Sequence, residues 1–341
     1  MKPLIFTKIN PKFDNFEATR IRRTLKNILE SHEVVYSVSE LDNSFDLVHF
    51  VSLEDVAFLS NKLEKGRTFK KVASLLSCEE DFYGKLLEEN KNKDIDLHCV
   101  VKKSDIEIIN NLDMCFVPSN DAKNFLINLG VTTDIEIFPL PIRISKYNLK
   151  NSVLSKAIYS YLRISEDVPL AVATLHYKDV EAFKRLEYIV QRFPKIKFIC
   201  VCRVDGGILM PRIAKQIIKK RYRNLVLTTP LSEDLYSSLL YNSLFYLNIG
   251  STYGNDLESI ESMASKTQIF SLTNSGFNDL LIDKKNCYLY NNIDLLRVGI
   301  DQFLLGLIEP TVKSAYEFVK NIDIKDAGYK LIECYKKVLK E

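Results

Sequence analysis

Residues 243–283 read SLFYLNIGSTYGNDLESIESMASKTQIFSLTNSGFNDLLID. An apolar run over 243–249 stops at Gly250, and a short polar loop follows. A helix over 256–265 then carries Glu261 in its first turns. A second apolar run, 267–273, leads into a small loop around Gly276. Short runs rich in Ile, Leu, Phe and Tyr, separated by a helix, are the repeating unit of a parallel α/β sheet. Ligands of such sheets bind beyond the carboxyl ends of the strands, so the loops after the strands are where a site belongs.

The same alternation extends outward in both directions. Upstream in the second half, strands are predicted over 169–175, 195–202 and 224–229, with helices near 178–192, 209–221 and 232–241. Downstream lie helices near 276–282, 293–307, 311–321 and 325–340. The first half predicts strands over 3–9, 33–38, 46–52, 70–77, 113–119 and 135–140, and helices over 16–31, 53–64, 79–91, 104–111 and 119–129. Ser119 or Asn120 can cap the start of the last of these helices, and Gly130 can close its end. Alternation stops in PLPIRISKYNLKN (139–151), where a domain boundary is placed. The expectation is an α/β protein of two Rossmann-like domains, 1–150 and 151–322, facing each other across a crevice. A C-terminal helix over 323–341 completes it.

The chain has 341 residues, which fits two domains. Lys and Arg number 47 against 44 Asp and Glu, so no general basic field points to a nucleic-acid partner. No apolar window is long enough to span a bilayer. The start, MKPLIFTKINPKFDNF, reads as a first strand and not as a signal peptide. Seven cysteines are scattered, several inside apolar runs, as in FICVC. They read as reduced core residues, and the expectation is a soluble cytoplasmic protein.

Several chemistries lack their residues. There is no G-x-x-x-x-G-K-[ST], no G-x-G-x-x-G and no G-x-S-x-G. The four histidines (32, 49, 98, 176) have no partners at metal-ligand spacing, so no metal is expected. Asp94–Asp96 form a literal D-x-D, but EENKNK precedes them, and a solvated loop is the better reading. Basic residues gather at Lys215, Lys219, Lys220, Arg221 and Arg223, and on the first helix at Arg20, Arg22, Arg23 and Lys26. A solvated helix face is the plain reading of both clusters, and peripheral contact with an anionic membrane surface is the alternative.

The stretch around Glu261 resembles the nucleotide-sugar-binding region of GT-B glycosyltransferases, in particular the large retaining family with the E-x7-E motif, similar to sucrose- and glycogen-synthase-like enzymes. Glu261-Ser262-Met263-Ala264 matches its E-A-M-A, and Gly254 matches its first Gly. MCFVPSNDAKNFLINLGV (114–131), Glu30-Ser31-His32-Glu33-Val34 and DLVHF (46–50) resemble further family segments in the same order, so the likeness extends over nearly the whole chain. It implies two Rossmann-like domains and a last helix that crosses back to the first. It also implies metal-independent transfer of a sugar from a nucleotide-diphosphate donor to a glycan, lipid or protein acceptor.

The resemblance assigns Lys178 and Glu261 as catalytic. The donor residues it implies are Thr174, His176, Lys178, Arg203, Gly250, Tyr253, Gly254, Leu257, Glu261, Thr273 and Gly276. A helix N-terminus suits a diphosphate, and a carboxylate one turn in can accept from both ribose hydroxyls. An ordinary exposed helix carboxylate is the plain alternative for Glu261. With no Trp, sugar stacking falls to loop aromatics such as Tyr177, Tyr253 and Phe277.

The chain departs from the family pattern at four places. Thr174 stands where the family has Arg, and Tyr253 where it has the first Glu. Asp14-Asn15 replace a Gly-Gly, and Leu76, Ser77 and Cys78 stand where a His is expected. Two explanations follow. Either the enzyme is divergent, with Arg203, Lys178 or His176 supplying charge, or the chain is an inactive glycosyltransferase-like partner subunit or glycan-binding module.

Overall fold

The computed structural model describes residues 1–7, 16–38, 45–60, 69–75, 103–147, 152–176, 179–203, 222–250, 257–273 and 280–340. Two compact units emerge. One is drawn from Met1–Pro141 and Ile322–Glu341, the other from Ile142–Thr252 and Asp256–Asn321.

The first unit contains β1 (Pro3–Phe6), α1 (Phe16–Ser31), β2 (Ser37–Val38), β3 (Leu47–Phe50), α2 (Leu53–Ser60), β4 (Lys70–Ser74), α3 (Lys103–Asn110), β5 (Met114–Val117), α4 (Asn120–Asn128) and β6 (Ile135–Ile137). The six strands are all parallel, in the order β2-β1-β3-β4-β5-β6. β1, β3 and β5 are buried along their whole length, as near-continuous apolar strands of a parallel sheet must be. Ser119 caps α4 by accepting from the Ala122 N–H at 3.2 Å. Gly130 closes the helix at φ +90°, in the left-handed region where a side chain costs most.

In the second unit, α5 (Ile144–Tyr147) and α6 (Ser152–Leu162) come first. They are followed by β7 (Leu170–His176), α7 (Val180–Arg192), β8 (Lys197–Arg203), β9 (Leu225–Thr228), α8 (Glu233–Tyr241), β10 (Ser243–Asn248), α9 (Leu257–Ala264), β11 (Gln268–Leu272), β12 (Tyr288–Tyr290), α10 (Ile293–Leu304) and α11 (Val312–Val319). Its sheet is also parallel, in the order β12-β11-β10-β7-β8-β9. The core is aromatic at its centre, with Phe198, Phe245 and Phe270 in successive edge-to-face contacts at 6.4 and 5.5 Å. Asp179, Ser232 and Asn292 cap α7, α8 and α10 through their side chains.

The last helix, α12 (Ile324–Leu339), belongs to the first unit and packs on α1, as expected for a helix that crosses back. Lys330 pairs with Glu136 at 2.9 Å and Lys337 with Asp134 at 2.7 Å. Beneath them, Tyr335 is fully buried, and its hydroxyl lies 2.5 Å from His49 Nδ1. His49 Nε2 meets Ser74 Oγ at 2.7 Å, so both ring nitrogens are engaged. Burial pushes the His49 pKa down to about 3, so the ring is neutral.

The structure corrects the reading of some segments. Within 139–151, where the alternation stops, the short α5 forms, and α6, which no predicted helix covers, starts just after it. The segment at 33–38 forms only the two-residue β2, because Glu33 turns left-handed at φ 56° directly after α1. Arg20 is 9% exposed and does not belong to a solvated face. The predicted helices at 79–91 and 209–221, Asp94–Asp96, and Lys215, Lys219, Lys220 and Arg221 lie outside the described residues. Among the described residues, no helix is long and apolar enough to cross a membrane.

Candidate functional site

The order of the second sheet locates the site. From β7 the chain moves outward through β8 and β9. It then returns to the other side of β7 and moves outward through β10, β11 and β12. The direction reverses between β7 and β10, and such a switch point is where an open parallel sheet leaves a binding crevice at its carboxyl edge.

Four of the nominated residues within the described chain lie at that edge. His176 ends β7 and Arg203 ends β8, and the two are direct partners in the strand register. Gly250 follows β10, and Thr273 follows β11. The Thr273 N–H donates to the Tyr290 carbonyl at 3.0 Å, which fixes the start of the next loop. Four neighbouring strands, β11, β10, β7 and β8, thus each deliver a nominated residue to one edge. Lys178, Tyr253, Gly254, Gly276, Tyr177 and Phe277 lie outside the described residues, as do Asp14-Asn15 and Leu76, Ser77 and Cys78.

Thr174 sits two residues inside the edge, on β7, half-buried. Its hydroxyl is 2.9 Å from the hydroxyl of Tyr236 on α8. Thr174, expected from the resemblance to stand where the family has Arg, is a neutral group held by a tyrosine. Sequence reasoning did not single out Arg185. This residue of α7 donates from Nη1 to the Ile249 carbonyl at 3.2 Å, next to Gly250, with its side chain only 13% exposed. Nothing in its sequence context marks it, because the contact is made across the sheet end.

α9 begins at Leu257, on the carboxyl side of β10, with its amino end toward the same edge. All eight of its residues are buried. Glu261 is 2% exposed, which overturns the plain alternative of a solvated surface carboxylate. The Tyr147 hydroxyl on α5 donates to Glu261 Oε1. Glu258, one turn earlier, is a second buried carboxylate that the sequence reading passed over. It lies in the first turn, where the helix dipole favours negative charge. Its signal was the spacing Glu258-x-x-Glu261, which puts both on one side of the helix.

Cys200 and Cys202 point to the same face of β8, as a two-residue spacing demands, with their sulfurs 4.0 Å apart. Among the described residues, no three His, Cys, Asp or Glu side chains gather as metal ligands.

No protein-family model matches the sequence, and no curated protein matches it. Comparison of folds gives a different result. Sucrose-phosphate synthase from Thermosynechococcus elongatus superposes with a TM-score of 0.69 at 12% identity, over 97% of this chain and 80% of the synthase. A glycosyltransferase from Rickettsia africae reaches 0.67 at 14% identity, over 100% and 98% of the two chains. Anabaena HepE, solved with UDP and glucose, reaches 0.67 at 10% identity, over 99% and 100%. The fold is GT-B. At these identities the likeness fixes the architecture shared with nucleotide-sugar glycosyltransferases, and this GT-B chain's chemistry has to be argued from its own residues.

Proposed function

We propose that this protein is a retaining, metal-independent glycosyltransferase that transfers a sugar from a nucleotide-diphosphate donor to a glycan, lipid or protein acceptor. The observation that carries the reading is Glu261, a buried carboxylate one turn into a helix that starts at the carboxyl edge, beside the switch point of the second sheet. The amino end of α9 offers N–H groups to a diphosphate, and Glu261 accepts from the ribose hydroxyls. As the glycosidic bond breaks, negative charge grows on the leaving diphosphate, and a preorganised cation there lowers the barrier. Lys178 has that role, with His176 and Arg203 on the neighbouring strand ends contributing charge or donors. Gly250, Tyr253, Gly254, Leu257, Thr273 and Gly276 shape the loops around phosphate and sugar. Buried free cysteines and a nucleotide-sugar donor fit a cytoplasmic location, with peripheral membrane contact for a lipid acceptor.

The test is turnover. The purified protein is incubated with a panel of UDP- and GDP-sugars, and released UDP or GDP is measured with and without candidate acceptors. Donor cleavage that Lys178→Ala abolishes supports the reading. No cleavage, together with no nucleotide binding, defeats it.

One observation favours a second reading, a partner subunit or glycan-binding module without turnover. Thr174 is neutral and already engaged by Tyr236, so that position brings no charge to a leaving group. Nucleotide binding without cleavage, and co-purification with an intact glycosyltransferase, would select it.

A further inference from the structure

We infer that Tyr147 is a positioning residue that aims the Glu261 carboxylate at the ribose of the donor; this rests on the donor reading above. Tyr147 and Glu261 are 114 positions apart in the chain and each is 2% exposed. A buried phenol and a buried carboxylate both need partners, and here each meets the other. With the carboxylate ionised, such a bond fixes orientation as well as adding energy.

The support behind Tyr147 is built with equal care. α5 has only four residues and would not persist alone. Lys146, its neighbour on α5, pairs with Glu233 at the start of α8 at 2.9 Å. Farther along, Ser155 on α6 bonds Asn242, at the end of α8, at 3.0 Å. α5 and α6 are thus each pinned to an end of α8, and α8 also carries the Tyr236 hydroxyl that holds Thr174. One helix organises both tyrosines that hold nominated donor residues.

A carboxylate accepts about four hydrogen bonds, so a bond from Tyr147 leaves capacity for ribose hydroxyls. With one oxygen anchored, the carboxylate cannot rotate away from the sugar. Removing the phenolic oxygen should therefore weaken recognition of the ribose and spare contacts to base and phosphates.

The experiment compares UDP and GDP with their 2′-deoxy forms by calorimetry, on the full chain and on Tyr147→Phe, Lys146→Met and Glu261→Gln. The wild type is expected to prefer the ribonucleotide by about tenfold, the worth of one charge-assisted bond. Tyr147→Phe should lose most of that preference, and Lys146→Met part of it. The preference is a ratio within one variant, so partial unfolding does not distort it. If a nucleotide binds and Glu261→Gln erases the preference while Tyr147→Phe retains it, the role of Tyr147 is overturned and the donor reading stands. An equal loss of ribo and deoxy binding in Tyr147→Phe also overturns it, because that marks a general scaffold residue. If neither UDP nor GDP binds the wild type, or Glu261→Gln changes nothing, the donor reading itself fails.

Discussion

Each unit buries a tyrosine hydroxyl against a titratable group from a distant part of the chain, an imidazole in one and a carboxyl group in the other. In the first unit Tyr335 meets His49, a neutral ring whose second nitrogen is taken up by Ser74. Both groups are fully enclosed in the packing between sheet and C-terminal helix. The second unit sets Tyr147 against the carboxylate of Glu261, on a helix that starts at the carboxyl edge of the sheet. A neutral, satisfied network specifies how helix and sheet dock and offers nothing to a ligand. On the proposed reading, the buried carboxylate at the strand ends is a binding group held ready. The same device serves architecture in the first unit and, on that proposed reading, recognition in the second.

The largest expected effect breaks the first pair. Tyr335→Ala removes a fully buried ring and strands His49, and should cost about 3–5 kcal/mol in urea unfolding. A cost below about 1 kcal/mol would mean that the last helix is not docked through this residue.

The neutrality of His49 comes next. Its pKa of about 3 is below the ordinary 6.5, so the folded state binds fewer protons than the unfolded state. Stability from this group is complete above about pH 6.5 and drains away as pH falls toward 3, with about 2–3 kcal/mol lost by about pH 4.5. An NMR titration should find the His49 ring unprotonated at about pH 5, and a midpoint near 6.5 would contradict burial in a neutral network.

Smaller effects test the edges of the docked helix. A Cβ at Gly328 would stand 2.1 Å from His32 Cε1. Gly328→Ala must therefore push the half-buried His32 away from Tyr329, while alanine improves helix propensity by up to about 1 kcal/mol. The net change should be within about 1 kcal/mol by thermal melting. Lys337→Met removes only an exposed ion pair with Asp134 and should change stability by less than about 0.5 kcal/mol.

The sequence was legible where one chain segment sets its own structure. Apolar runs became parallel strands and Ser119 and Gly130 bounded α4, while the GT-B fold was implied by the resemblance around Glu261 and not by these local signals. Segments that rely on distant partners were not legible. α5 persists through Lys146 and Tyr147, which bond residues on α8 and α9, and no local pattern announces either bond. β12 has three residues at the sheet edge, too few for an alternation to show. At the candidate site, the family resemblance singled out Glu261, but its burial could not be read from an amphipathic pattern. α9 is enclosed on every side, and its serines and glutamates resemble a solvated helix. Tyr147, Tyr236 and Arg185 are tertiary discoveries of the same kind.

The most direct test of the central claim is a crystal structure of the protein with UDP or GDP bound. The account predicts the diphosphate at the amino end of α9, with both ribose hydroxyls within hydrogen-bonding distance of the Glu261 carboxylate. A nucleotide seated elsewhere, or a ribose that leaves Glu261 untouched, would contradict it.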